Sequence, residues 1–293
     1  LDEVCSPATM AMAGPRFFGF VIGGALPVTL AANWLAGAWD QNSALYNVTP
    51  ATAELERVAL RWLLELFGLP AGCGAGFVTG ATVANFTALA AARHGVVARA
   101  GWDVEADGLI GAPPVTVVVG DEAHSTLFKA LGLVGLGRKR VVRVPVDRQG
   151  RMRADALPPL SGPTIVCAQA GTLHSGAFDP LAEICDWAHA AGAWVHVDGA
   201  FGLWVAAVPW LSAMSHLPGA SRLAQNATLN EAFATSIGPP TITLSSTPSN
   251  SAPRSSRPTV PDVGHVLPLH DAGAYGRLVS WKACAPGASS SGR

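Results

Sequence analysis

His196-Val197-Asp198-Gly199-Ala200-Phe201-Gly202, approached through Trp194-Val195, decides how this 293-residue chain folds. The apolar run Trp194 to Val197 predicts a short buried strand, and the glycines beyond Asp198 mark a turn. In open α/β sheets ligands collect at the carboxyl ends of the strands, where Asp198 falls. A carboxylate buried there is costly unless it meets a cation. Two readings stay open: Asp198 faces a cationic ligand, or it caps the turn that follows it.

Upstream, the same kind of strand recurs, each time followed by a helix. Thr164 to Ala168 predicts a strand and Pro180 to Ala191 the helix after it. Val115 to Val119 predicts another strand, ending at Gly120-Asp121, with a helical pattern after His124 and a further strand at Val141 to Val146. From Ala53 to Phe67, Leu55, Val58, Ala59, Trp62, Leu63 and Leu66 recur at helical spacing, which predicts an amphipathic helix packed on a core. Gly68-Leu69-Pro70 stops it. Strands separated by helices predict an α/β fold with a mostly parallel sheet. Beyond about Met214 the texture changes to Ser, Pro, Thr and Arg, as in Pro253-Arg254-Ser255-Ser256-Arg257-Pro258, and 215–293 reads as an irregular or disordered tail with a weak strand at Thr241 to Leu244.

The chain is 49% hydrophobic and 13% charged with a net charge of −1, which excludes wholesale disorder and leaves few charges for the surface. A homo-oligomer, most simply a homodimer, accounts for that. Nucleic acid and anionic lipid both call for a basic excess and are disfavoured as ligands; Arg138-Lys139-Arg140 with Arg143 reads as a solvated loop leading into a strand. The cysteines, Cys5, Cys73, Cys167, Cys185 and Cys284, are odd in number and show no CxxC spacing, so neither a disulfide framework nor a metal site is expected. A reducing cytoplasm fits, and Leu1-Asp2-Glu3-Val4-Cys5 shows no secretory signal. With no initiator Met, the chain reads as starting partway into a gene product. The uncharged run Phe17 to Trp39 could span a bilayer, but Gly23-Gly24, Pro27 and Asn33 favour a loop and a buried helix.

Two further constellations carry chemistry. Thr79-Gly80-Ala81-Thr82 joins an extended segment to a helix, where small residues and free N–H groups suit a phosphate; an ordinary Thr82 cap is the plain alternative. Asp121-Glu122-Ala123-His124-Ser125-Thr126 follows a strand, and its imidazole could stack on a ring and move a proton near neutral pH, or be a structural histidine. G-x-S-x-G and G-x-x-x-x-G-K-[ST] are absent, which disfavours hydrolase and nucleotide-binding readings.

In this order, phosphate turn, stacking histidine and strand-end acid, the chain resembles the group II pyridoxal-phosphate (PLP) dependent decarboxylases, the glutamate and aromatic-amino-acid type. The resemblance covers roughly Pro15 to Met214. It implies the aspartate-aminotransferase fold, fold type I, with an N-terminal substrate-side segment over 1–50 and part of the PLP-binding large domain over 51–214. It implies phosphate contacts at Ala81 and Thr82, stacking and proton traffic at His124, pairing of Asp198 with the pyridine nitrogen, and Ala200 packed under the ring. Pro15-Arg16-Phe17-Phe18-Gly19-Phe20 matches the substrate-side segment, so Phe17, Phe18 and Phe20 are expected to face an apolar or aromatic amino acid. Gln169 to Asp179 resembles a loop beside the cofactor, with Thr172 and Leu173 at positions polar in the family.

One departure is large. The family's Schiff-base lysine lies in a His-Lys pair some tens of residues after the acid, and no such pair exists here; the lysines are Lys129, Lys139 and Lys282. Since the resemblance stops where the composition shifts, a frame slip or a truncated, pseudogene-like end near Met214 is expected, and sequencing the locus for a His-Lys motif in another frame tests it. The implied activity is amino-acid decarboxylation, impaired in this chain. The alternatives are an inactive paralogue serving as a scaffold or partner, or a PLP-dependent aminotransferase or desulfurase; no aminotransferase-type arginine motif is visible.

Overall fold

The computed structural model describes residues 1–10, 12, 16, 25–41, 43, 45–69 and 73–208, with the backbone of two strands at 232–235 and 241–245. Phe17, Phe18 and Phe20 lie outside the described residues. The helices are α1 (Asp2–Cys5), α2 (Pro27–Trp39), α3 (Pro50–Leu66), α4 (Ala81–Arg99), α5 (Val104–Asp107), α6 (Ser125–Leu133) and α7 (Leu181–Ala190). The strands are β1 (Gly74–Val78), β2 (Thr116–Gly120), β3 (Val141–Val144), β4 (Thr164–Gln169), β5 (Trp194–Asp198), β6 (Ala232–Thr235) and β7 (Thr241–Ser245).

All seven strands join one sheet in the order β1-β7-β6-β5-β4-β2-β3. β3, β2, β4, β5 and β6 run parallel, and β7 lies antiparallel to both of its neighbours. Alternate strand residues feed two cores. Val117, Val119, Ile165, Cys167 and Trp194 pack with Leu89, Ala92 and Val96 of α4 and Leu127 and Leu131 of α6. Val118, Val166, Ala168, Val195 and Val197 pack on the other face with Leu181, Ile184 and Ala188 of α7 and with Phe67. Burial on both faces explains why β2, β4 and β5 read as unbroken apolar runs, and each buried valine contributes about 1.5–3 kcal/mol relative to exposure.

Two expectations are corrected. The Phe17 to Trp39 run was expected to hold a buried helix, yet every residue of α2 is exposed, including Trp34 and Trp39. At 13 residues α2 is also too short for a bilayer, and no helix among the described residues is long and apolar enough to cross one. In α3 the face on the core is Leu60, Leu63 and Leu64, continuing to Phe67, while Leu55, Trp62 and Leu66 are half or more exposed. The apolar stripe is wider than the contact it makes, so the spacing selected Leu63 on the core and also Leu55, Trp62 and Leu66 beyond it. In the region read as irregular, the weak strand at Thr241 to Leu244 is present as β7, and β6 beside it was not expected.

The strand ends carry tight joints. Gly171 sits at φ +89°, a left-handed turn, and the Gly202 N–H donates to the Ala170 carbonyl at 2.9 Å, tying the turn after β5 to the end of β4. A Cβ on Gly202 would lie 2.4 Å from the Ala170 oxygen and from Phe178 Cε1. Gly202→Ala is therefore expected to destabilise the fold by about 1–3 kcal/mol. A lower midpoint in urea unfolding is the readout, and an unchanged midpoint would contradict the close approach.

Candidate functional site

The site forms where β1, β2, β4 and β5 end. β1 delivers the chain to α4, whose N-cap is Gly80; no side chain caps this end, so the alternative of a capping Thr82 is not realised. Gly80 accepts from the Val83 and Ala84 N–H groups. The N–H groups of Ala81 and Thr82 open the helix ahead of them, at the positive end of a 19-residue dipole. That end suits an anion.

β2 ends at Gly120, and the turn through Asp121 places His124 as the N-cap of α6. The imidazole is a cap as well as a candidate ring contact, because the Thr126 N–H donates to its Nδ1 at 3.3 Å. The Thr126 hydroxyl lies 2.8 Å from the same nitrogen. His124 lines an open cavity of about 540 Å³, a size typical of small-molecule sites, with Glu122, Gln149, Gln169, Thr172 and His174.

β5 ends at Asp198, which is 6% exposed. Its Oδ1 accepts from the Ala200 N–H at 3.1 Å and its Oδ2 from the Asn85 amide at 3.2 Å. Burial pushes its carboxyl above the ordinary carboxylate range, and the hydrogen bonds from Ala200 and Asn85 with the nearby His124 only partly offset this. The capping reading of Asp198 is realised through the Ala200 N–H, while its second oxygen takes the Asn85 amide, and neither bond brings a cation. Cys167 on β4 stays a thiol, its ionisation pushed up by burial and by Asp198.

Asn85, on the first turns of α4, joins these parts. Its amide reaches Thr126 Oγ1 at 3.2 Å as well as Asp198, and its carbonyl oxygen lies 2.8 Å from His196 Nε2. His124, Thr126, Asn85, Asp198 and His196 therefore form one hydrogen-bonded chain below the strand ends. His124, Asp198, Ala200, Ala81 and Thr82 were singled out in the sequence; Asn85, Thr126 and His196 were not. The available signal was a lone polar residue at Asn85 in an otherwise apolar stretch of helix.

Within the loop from Gln169 to Asp179, the Thr172 hydroxyl is turned inward onto Ser175, and the Ser175 hydroxyl donates to the Gln149 carbonyl. Leu173 is 46% exposed. The loop's polar groups are thus used to hold its own shape. Lys129 and Lys139 are exposed, and Lys282 lies outside the described residues.

Known proteins resemble this chain in sequence and in fold. Tryptophan decarboxylase 1 of Oryza sativa subsp. japonica is 32% identical over 217 residues, 67% of this chain and 41% of that protein. Human cysteine sulfinic acid decarboxylase is 32% identical over 196 residues, 64% of this chain and 39% of that protein. The chain thus spans about two fifths of the length of the curated relatives it matches. Among solved structures, Oryza sativa TDC with PLP superposes with a TM-score of 0.70 at 25% identity, over 84% of this chain and 55% of that one. Mouse CSAD in apo form gives a TM-score of 0.68 at 26% identity, over 84% and 54%. The fold is therefore that of the PLP-dependent decarboxylases, as the resemblance implied. Residues 3–213 match the pyridoxal-dependent decarboxylase conserved domain, a match ending where the sequence changes texture, and the chain belongs to that family.

Proposed function

We propose that this chain holds PLP in the manner of an amino-acid decarboxylase and that its turnover is impaired. The observation that carries the reading is Asp198, a carboxylate buried at a strand end whose hydrogen-bond donors are both neutral. A protonated pyridine nitrogen is the counter-charge that such a group lacks. The donor set fits the rest of the molecule: the uncapped start of α4 at Ala81 and Thr82 suits the phosphate, and Ala200 beside Asp198 leaves room for a ring. When bound, PLP supplies the electron sink that lets an amino acid lose its carboxylate as CO₂.

The chain's own residues have separable duties. Asp198 would hold the ring nitrogen's proton, the α4 N-terminus would take the anionic end, and His124 would offer its outer nitrogen to the substrate. Phe17, Phe18 and Phe20 are the proposed contacts for an apolar or aromatic side chain. With no lysine among the described strand-end groups around Asp198, product release would lose its usual amine and the cofactor would be held without a covalent bond. By the same reading 1–50 is the substrate-side segment, 51–214 the PLP-binding part and 215–293 the tail. A homodimer would cover the exposed Trp34, Trp39 and Trp62, and an odd number of cysteines without CxxC spacing suits a reducing cytoplasm.

Equilibrium dialysis against PLP tests the proposal. Saturable uptake that is fully reversed by dialysis, and lost in Asp198→Ala, is expected, together with negligible CO₂ release from amino acids. Absence of uptake by the wild-type chain would overturn the cofactor assignment. Brisk CO₂ release would overturn the impairment.

A further inference from the structure

The hydrogen-bonded chain below the strand ends has a direction, and that direction can be read from the chemistry of its members. A backbone N–H only donates, so the 3.3 Å contact from Thr126 makes His124 Nδ1 an acceptor. The Thr126 hydroxyl, 2.8 Å from the same nitrogen, must then donate to it as well. With its proton so committed, the Thr126 oxygen is left to accept, and the Asn85 amide meets it at 3.2 Å. The second amide proton of Asn85 goes to Asp198 Oδ2, also at 3.2 Å. This leaves the Asn85 carbonyl oxygen to accept from His196 Nε2 at 2.8 Å. Where Asp198 carries its charge, reversing the Asn85 amide would set its carbonyl oxygen against the carboxylate and exchange an attractive contact for a repulsive one. The charged state of Asp198 therefore selects this orientation.

We infer that Asn85 and Thr126 are positioning residues, which hold neutral His124 with its proton on Nε2 and Asp198 in line with it, so that the two groups are aimed as one unit. The inference rests on the reading of His124 and Asp198 as the two sides of a PLP site, but the arrangement belongs to the chain itself and precedes any ligand. Asn85 is fully buried, which makes its amide a rigid strut rather than a surface group. Its three partners come from α6, β5 and the end of β5, and a shift of either side of the site is transmitted to the other through it. Functionally, His124 then presents an N–H donor, and not a bare nitrogen, to whatever occupies the 540 Å³ cavity that it lines. A carboxylate or other acceptor on the ligand is the complementary group.

The test is made on the ligand-free full chain, so that it is decided whether or not PLP binds. With the chain's 8 histidines ¹⁵N-labelled, long-range ¹H–¹⁵N spectra at a pH where His124 is neutral report which ring nitrogen carries the proton. His124 is assigned by comparison with His124→Gln. In the wild type, the Nε2–H form is expected to exceed the Nδ1–H form by at least about tenfold, the ratio that one hydrogen bond of ordinary strength sustains. Thr126→Val keeps the shape and removes the hydroxyl, and should reduce that ratio by about tenfold; Thr126→Ser should restore it. Asn85→Ala should reduce it by a smaller factor and also broaden the His196 signals. If Asn85→Ala does not fold, the valine and serine pair still decides the matter. A His124 pattern in Thr126→Val equal to the wild type, or a wild type already mixed between the two forms, would overturn the inference. Failure of PLP uptake with these spectra as expected would remove the cofactor reading and leave the positioning intact.

Discussion

A chain carrying Asp198→Asn is expected to bind PLP about two to three and a half orders of magnitude more weakly than the wild type, measured by equilibrium dialysis at neutral pH. The substitution keeps the size of the side chain and an oxygen to accept from the Ala200 N–H, so what it removes is charge. In the wild type the carboxylate is 6% exposed and, among the described residues, accepts from the Ala200 N–H and the Asn85 amide. Removing one member of a buried ion pair costs about 3–5 kcal/mol, because the other charge is left in a poorly solvating site. At about 1.4 kcal/mol for each factor of ten, that cost gives the stated range. The proposed phosphate seat at Ala81 and Thr82 is untouched, so residual weak binding should persist. Equal affinities in the two chains would mean that Asp198 does not meet the ring nitrogen.

The same substitution has an opposite signature in the empty protein. Burial raises the Asp198 carboxyl in the folded state, so the native chain holds a proton that the unfolded chain has released. Its contribution to stability is complete below the ordinary carboxylate range and is lost as the pH rises through the folded value. Asp198→Asn abolishes that loss. Ligand affinity and the alkaline side of the stability profile should therefore move in opposite senses, which a simple folding defect would not produce.

How far the fold was legible depends on burial. β2, β4 and β5 are covered on both faces, so Val117 to Val119, Ile165 to Ala168 and Trp194 to Val197 are continuous apolar runs that announce themselves. β6, Ala232–Thr235, carries only one large apolar residue, Phe233, and is flanked by no helical period. A strand recognised mainly by its neighbours leaves little trace in its own residues. α2 misled because a lack of charge indicates burial only when the partner surface is known. In the site, His124 and Asp198 stood out because each is a titratable group placed directly after a strand. Asn85 did not, since its bonds to Thr126 and Asp198 span 41 and 113 residues of sequence, and no local pattern records such a contact.

Asp179→Ala should lower the unfolding free energy by about 2–6 kcal/mol at about pH 4, in urea titrations followed by Trp fluorescence. Asp179 is 7% exposed, its Oδ1 accepting from the Met152 N–H and its Oδ2 from the Gln169 N–H, both at 2.7 Å. It closes the strand end of β4 onto the loop that carries the Val146–Met152 bridge. Alanine leaves two buried donors unsatisfied, each costing about 1–3 kcal/mol. Burial pushes the carboxyl up to about 6 despite the two bonds, which pull it down. Since the folded value lies above the ordinary 3.8, the native state binds the extra proton between these limits. Stability from this group is full below about pH 4 and lost as the pH rises through about 6, a change on the order of 3 kcal/mol. Asp179→Ala should flatten the wild-type profile across that window, with the Asp198 contribution remaining. A variant whose profile still falls as steeply as the wild type would show that the proton is taken up elsewhere. Gln169, which Asp179 holds, pairs in register with Asp198 on the neighbouring strand. The carboxylate at 179 thus secures the strand end from which the carboxylate at 198 is presented, and a loss of PLP affinity in Asp179→Ala, smaller than that in Asp198→Asn, is the expected consequence.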